Sequence, residues 1–396
     1  MLRLTMKPGE EASVRKGHCS VFRDQVANPP DSLTPGEEAD VVDGRGGYLG
    51  RGLLSGGGRV ICRLYTRRRE PLDRDFFHKR LQAAHTFRRG LNLPNKSTNG
   101  YRAVFAEGDR LPGLMVDRYG DHLVIQTPTA GLEQRKELLV DSLTEIFRPL
   151  AICERNDSAL RKREGLPEVN GWIGNAPTQP IIVSENGIQY QVDPLGAMKT
   201  GHFFDQRENR LLLERISRDK SVLEMFCYTG GFGLSAAKYG AKSVLSVDGA
   251  APAIEAAREN ARLNGLQQQI EYEVGDGFEV LHTLARGPRR FDVIVIDPPA
   301  FAKTTAHVEK ATRAYQDLNQ TALRMLPVGG YLLTCSCSQQ ITRRIFRKLV
   351  ADAAGEARRI VRVVAEGGAG KDHPVLLNVP ETDYLKSLLL CVVEKF

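Results

Sequence analysis

The seven cysteines, Cys19, Cys62, Cys153, Cys227, Cys335, Cys337 and Cys391, include no CxxC pair. They are scattered and odd in number, and no paired His/Cys spacing accompanies them, so no metal site is expected. The opening stretch "MLRLTMKPGEEASVRKG" has no apolar run of the kind a secretory leader carries. No apolar run approaches the roughly 20 residues that span a bilayer. These absences point to a reduced, cytoplasmic chain with no membrane partner. Internal repeats and low-complexity segments are also missing.

At 396 residues the chain exceeds one ordinary core, and two or three domains are expected. Its 41% hydrophobic and 26% charged residues are those of a globular protein. The formal net charge of +7 mildly favours a polyanionic partner. Residues 1–80 alternate short β-branched runs with Pro-Gly, Asp-Gly and Gly-Gly turn signals, then become helical through "DFFHKRLQAAHTFRRGL". Residues 81–182 read as a central α+β unit, three strands in "YRAVFAEGDRLPGLMVDRYGDHLVIQT" followed by a helix and a further strand. Residues 183–396 alternate apolar strands with helices, the pattern of βαβ units in a Rossmann-like, doubly wound α/β sheet.

Ligands of such sheets sit beyond the carboxyl ends of the strands. "SVLEMFCYTGGFG" brings Glu224, Phe226, Tyr228, Thr229 and Gly230 to that rim; "SVLSVD" ends in Asp248; Asp276 follows the third strand; "VIVIDPP" ends in Asp297. The glycines let a backbone pass close to a ligand. Asp248 stands where an acid accepts ribose hydroxyls, and Asp276 can accept from an adenine amine. No Walker lysine follows the turn and no GxGxxG is present, so neither phosphate cradling nor a nicotinamide is supported. Asp and Gly end many strands simply as turn residues. Four acids in register on one rim favour a cationic sulfonium cofactor, S-adenosylmethionine. Upstream, "KTGHFFDQRENR" reads either as a helix cap with core phenylalanines or as a cofactor lid, with Phe203 or Phe204 on the adenosine and Gln206 and Arg207 as polar contacts.

The strings "KTGHFFDQRENR", "EMFCYTGGFGLSAAKYGA", "VIDPPAFAK", "GGYLLTCSCS" and "DHPVLLNVPETDYLKSLL", in this order, resemble the large-subunit (23S) ribosomal RNA cytosine-5 methyltransferase I family. The resemblance covers essentially the whole chain. It implies a small all-β PUA-like RNA-binding domain at 1–80, the family's central domain around Gly108–Asp121, and a class I methyltransferase domain at 183–396. It also implies large-subunit ribosomal RNA as partner, and it allows a homodimer. The family's first domain carries a His-Pro-Trp run where this chain has His18-Cys19-Ser20-Val21-Phe22, so no RNA contact is carried over there.

That resemblance gives "TCSCS" a chemical meaning. Carbon 5 of cytosine is a poor nucleophile until a thiolate adds to carbon 6. The family's nucleophile falls on Cys337, with Cys335 as a small filler, and Asp297 is its partner at the ring N3 and exocyclic amine. Pro298 and Phe301 would meet the target base, which must be unpaired or flipped out. Many RNA cytosine-5 enzymes have a second cysteine after the Asp-x-Pro turn. Here Asp297-Pro298-Pro299-Ala300-Phe301 has none, and Cys335, Lys303, His307 and a water all remain open as the base for the carbon-5 proton. The closest rival is a guanine-N7 or adenine-N6 methyltransferase, which needs no thiol. A non-catalytic RNA-binding protein and a dinucleotide oxidoreductase are more distant.

Overall fold

The computed structural model describes residues 1–30, 32–196, 201–302 and 307–396. The chain divides into two compact units. The first comprises residues 1–183, 192–202 and 372–382; the second comprises 184–191, 203–371 and 383–396.

The first unit holds two five-stranded sheets. One is built from Leu2–Thr5, Glu38–Val42, Tyr48–Leu54, Val60–Thr66 and Ser20–Phe22, in that spatial order. It closes on a small core that includes Leu4, Val21, Val41 and Ile61. The other runs Val169–Ile173, Ala151–Asn156, His122–Gln126, Met115–Tyr119, Gly100–Phe105. Helices Arg74–Gly90 and Lys136–Phe147 bury Phe76, Phe77, Leu81, Leu139, Leu143 and Phe147 in one cluster with residues of this second sheet. The all-β and α+β readings of the first two regions match these sheets.

The second unit carries a seven-stranded sheet. Its strands are β1 (Ser221–Met225), β2 (Ser243–Asp248), β3 (Ile270–Val274), β4 (Val293–Ile296), β5 (Tyr331–Ser336), β6 (Arg359–Gly367) and β7 (Lys386–Lys395). Their spatial order is β3-β2-β1-β4-β5-β7-β6. The first five are parallel, and β7 inserts antiparallel between β5 and β6. Helices α1 (Gly231–Lys238), α2 (Ala251–Leu263), α3 (Gly277–Arg286), α4 (Val308–Met325) and α5 (Arg343–Glu356) connect them. β1, β4 and β5 are almost wholly buried, as central parallel strands must be. β3 lies at the sheet edge and buries only Ile270 fully. The strand order reverses between β1 and β4, where an open sheet leaves a crevice for a ligand. Among the described residues, no helix is long and apolar enough to cross a membrane.

Candidate active site

After β1 the chain passes through a turn in which Phe226, Tyr228 and Gly230 have φ of 63°, 49° and 81°. Such conformations cost about 1–2 kcal/mol for a residue with a side chain, so neighbouring bonds must hold them. Two carboxylates do so. Asp248, at the end of β2, accepts the Tyr228 backbone N–H at 2.8 Å and the Ala250 N–H at 2.9 Å. Glu224 accepts the Phe232 N–H at 2.9 Å and the Ser246 hydroxyl at 2.6 Å.

Glu224 differs from its expected place on the rim. It is 1% exposed, and its donors lie on α1 and β2, so it supports the turn from beneath. Burial raises its carboxyl to about 7 against the pull of those donors. Asp276 is exposed and caps α3, accepting from the Phe278 and Glu279 N–H groups at 2.9 and 3.1 Å. The Phe226 ring lies against Gly277, where a Cβ would collide with it. Thr229 is buried, and its carbonyl takes the Asn260 side-chain amide at 3.2 Å.

The segment before β1 contributes a second layer. The Phe203 ring meets Tyr228 edge-on, with centroids 5.0 Å apart. The Gln206 amide donates to Asp297 at 2.8 Å, and its oxygen accepts from Asn209 at 2.6 Å. Arg207 is 4% exposed and pairs with Glu208 at 3.2 Å. Lys199, at the head of this motif, and Lys303 lie outside the described residues.

The two cysteines occupy different environments. Cys335 is fully buried on β5, 3.9 Å from the Gln206 amide oxygen, and burial pushes its thiol well above the usual range. Cys337 lies just past the strand end, half-buried, with its sulfur 4.0 Å from the Pro298 carbonyl. Ser338 ties this end to the loop after β4. Its hydroxyl accepts the Ala302 N–H at 3.2 Å and lies 3.0 Å from the Tyr315 hydroxyl. Phe301 joins an aromatic row, 5.8 Å from Phe278 and 4.9 Å from Tyr315. His307 is exposed, directly before α4.

Two residues inside the quoted strings, Lys386 and Arg210, have no role assigned from the sequence. Lys386, on β7 opposite Ser336, is 3% exposed and donates to the Ser338 and Tyr384 carbonyls at 2.7 and 2.8 Å. Burial lowers its ammonium to about 8, while the neighbouring Cys337 and Asp383 pull it back up. Arg210 is buried beneath the glycine turn and pairs with Glu185 at 2.6 Å.

A model of S-adenosylmethionine-dependent methyltransferases matches residues 141–388, and a PUA-like domain model matches residues 4–67. Ribosomal RNA large subunit methyltransferase I of Shewanella amazonensis is 42% identical over 391 residues, which are 98% of each chain. The Tolumonas auensis protein of the same name is 40% identical over 97% of this chain and 98% of its own. The chain belongs to the ribosomal RNA large subunit methyltransferase I family. Among solved structures, a Streptococcus mutans S-adenosylmethionine-dependent methyltransferase superposes with a TM-score of 0.86, at 23% identity, over 99% of this chain and 100% of its own.

Membership makes the chain an S-adenosylmethionine-dependent methyltransferase, and the site fits that cofactor. The positive-φ turn leaves glycine backbone at the crevice. Each Asp248 oxygen accepts a single N–H in the bonds above, which leaves lone pairs for ribose hydroxyls. Asp276 and Asp297 add acceptors at neighbouring strand ends.

Proposed function

We propose that the protein methylates carbon 5 of a cytosine in large-subunit ribosomal RNA, with Cys337 as the nucleophile. The placement of Cys337 carries this reading: a half-buried thiol at the carbonyl of Pro298, the residue that follows Asp297 in the chain, with a buried ammonium fixing the carbonyl of Ser338. A structural cysteine at that point would not need charged groups around it.

The Cys337 thiolate adds to carbon 6, and the ring's carbon 5–carbon 6 electron pair becomes available at carbon 5. Asp297, held by Gln206, accepts from the exocyclic amine and, when protonated, donates its proton toward ring N3 as negative charge develops there. S-adenosylmethionine, when bound, supplies the electrophilic methyl group that carbon 5 takes. Loss of the carbon-5 proton restores the double bond, breaks the carbon–sulfur bond and returns the thiolate. The base for that proton must come within hydrogen-bond reach of carbon 5, directly or through a water. Cys335 is poorly suited, because burial keeps its thiol protonated.

Phe203, Gln206, Arg207, Phe226, Tyr228, Thr229, Gly230, Asp248, Asp276 and Asp297 are proposed around the cofactor. Glu224 acts on it through the turn it supports. Pro298 and Phe301 are proposed against the base. Residues 1–80 and 81–182 are proposed to capture RNA, and 183–396 to perform the transfer.

The test is to incubate the protein with S-adenosylmethionine and unmodified, protein-free large-subunit ribosomal RNA, then identify methylated nucleosides by mass spectrometry. The expected product is 5-methylcytidine. Cys337→Ala is expected to abolish it while S-adenosylmethionine affinity stays within about twofold, because removing a covalent nucleophile acts on the chemical step. A gain of 7-methylguanosine or N6-methyladenosine, or full activity in Cys337→Ala, would overturn the thiol mechanism.

A further inference from the structure

In the first unit a cavity of about 590 Å³ opens where strand Val60–Thr66 gives way to helix Arg74–Gly90. That size lies within the range of ligand sites. Five cationic side chains line it: Arg67, Arg68, Lys79, Arg80 and Arg110. Among the described residues, none of the five has a carboxylate oxygen within the 4.0 Å of an ion pair. The contrast within the same unit is sharp. Arg51 pairs with Asp40 at 2.8 Å, Arg63 with Glu164 at 2.7 Å, Arg102 with Asp117 at 2.5 Å and Arg161 with Glu133 at 2.7 Å.

Two of the five are held in position. Arg67 donates to the Leu49 and His18 carbonyls, both at 2.8 Å. The Arg80 guanidinium rests on the Phe76 ring, 5.2 Å from its centroid. Arg68, Lys79 and Arg110 are exposed. Three acids share the lining: Glu70, Asp73 and Asp75. Two of them are engaged locally. Asp73 caps the helix through the Phe76 N–H at 3.0 Å, and Glu70 accepts the Thr66 hydroxyl. Burial, joined by the charge of Arg110, holds both Arg67 and Arg80 below the ordinary guanidinium range. The cluster is therefore a set of converging like charges that an anion would relieve.

We infer that this cavity binds phosphodiester groups of the RNA substrate, in a unit of the chain separate from the one that carries Cys337. The inference rests on the reading of RNA as substrate. An RNA backbone supplies closely spaced anions, and guanidinium forks match phosphate oxygens two at a time. A neutral ligand would leave five cations facing only three carboxylates. The cavity positions the RNA and carries no base preference.

The test uses the full chain with unmodified, protein-free large-subunit ribosomal RNA. Binding is measured across a salt series, without S-adenosylmethionine turnover. The variant Arg68→Ala/Lys79→Ala/Arg110→Ala removes the exposed cations and spares Arg67, which holds backbone. Each RNA phosphate that the variant no longer neutralises lowers the slope of log affinity against log salt by about 0.7–0.9, so a fall of roughly 2 is expected. Affinity at about 0.1 M salt is expected to drop at least ~10-fold. A control removing equal charge from exposed positions outside the RNA-capturing regions, Arg215→Ala/Arg218→Ala/Arg344→Ala, is expected to change the slope much less. If the cavity variant binds like wild type, or if both triple variants weaken binding equally, the site assignment is overturned. Should the triple variant fail to fold, Arg110→Gln alone is read for a slope change of about 0.7–0.9. An unchanged slope there overturns the assignment too. Because binding is read without methyl transfer, an unexpected product nucleoside would overturn the cytosine reading and leave this one standing.

Discussion

At the scale of single residues, the decisive group is Lys386. A buried ammonium costs several kcal/mol unless its donors are satisfied, and here two carbonyls and the nearby Cys337 offset that cost. Its folded value near 8 lies below the ordinary 10.5. The unfolded chain therefore binds more protons between those values, and this group's contribution to stability rises with pH across that window. Activity runs the other way. Above about pH 8 the ammonium loses the charge that favours a Cys337 thiolate, with Asp383 and Arg343 as the other charges acting on it. Lys386→Met is expected to lower single-turnover methyl transfer roughly 10-fold at neutral pH, because less of the Cys337 thiol is then held as the reactive thiolate. It is also expected to remove a descending limb near pH 8 from the pH–rate profile. If the variant keeps that limb, Lys386 does not set it. The positions of Asp297 and Cys337 at strand ends were legible in the sequence because each follows an apolar run. The environment of Lys386 was not, although the residue lies within "DHPVLLNVPETDYLKSLL", because it comes from the β5–β7 register, which pairs it with Ser336. Glu224 was legible as an acid at a strand end, but which way it faced depended on the Ser246 hydroxyl of the neighbouring strand.

At the scale of elements, the β1–turn–α1 unit was readable in outline, since an apolar run followed by Thr229-Gly230-Gly231 signals strand, turn and helix. The close packing behind the turn was not readable. A Cβ on Gly233 would stand 2.5 Å from both Glu224 Oε2 and Ser246 Oγ and 3.3 Å from Val244. These are paired, buried atoms with no room to retreat. Gly233→Ala is therefore expected to cost about 1–3 kcal/mol and to weaken S-adenosylmethionine binding, since the displaced Glu224 releases the turn. Gly355, inside α5, has nothing within 4 Å of the same position. Gly355→Ala is expected to stabilise by about 0.5–1 kcal/mol through helix propensity alone. Urea midpoints of the two variants check the ordering, and a Gly233→Ala protein as stable as wild type would show that the turn can shift. The antiparallel insertion of β7 was hidden for a related reason. "YLKSLLLCVV" reads as a buried strand, but its neighbours lie far away in sequence.

At the scale of the whole molecule, the chain's path is the feature that local sequence conceals. Residues 372–382 fall between β6 and β7, yet they belong to the first unit. Nothing local in "DHPVLLNVPET" marks that membership. Its membership is written in long-range bonds: Asp372, fully buried, accepts the Arg102 backbone N–H at 2.8 Å, and its carbonyl accepts from Arg88 at 2.6 Å. The His373 ring stands 5.0 Å from Phe105, and Asn378 donates to the Lys16 carbonyl. Asp372→Ala leaves the Arg102 N–H without this acceptor inside the unit, a loss of about 1.5–3 kcal/mol for a bond to a charged group. The single tryptophan, Trp172, lies on strand Val169–Ile173 of the first unit, so its fluorescence reports that unit's unfolding. Asp372→Ala is expected to move the Trp172 transition to lower urea. If that transition stays fixed while the far-ultraviolet circular dichroism transition moves, the segment is bound energetically to the β6–β7 sheet, and residues 372–382 are a loop of the second unit after all.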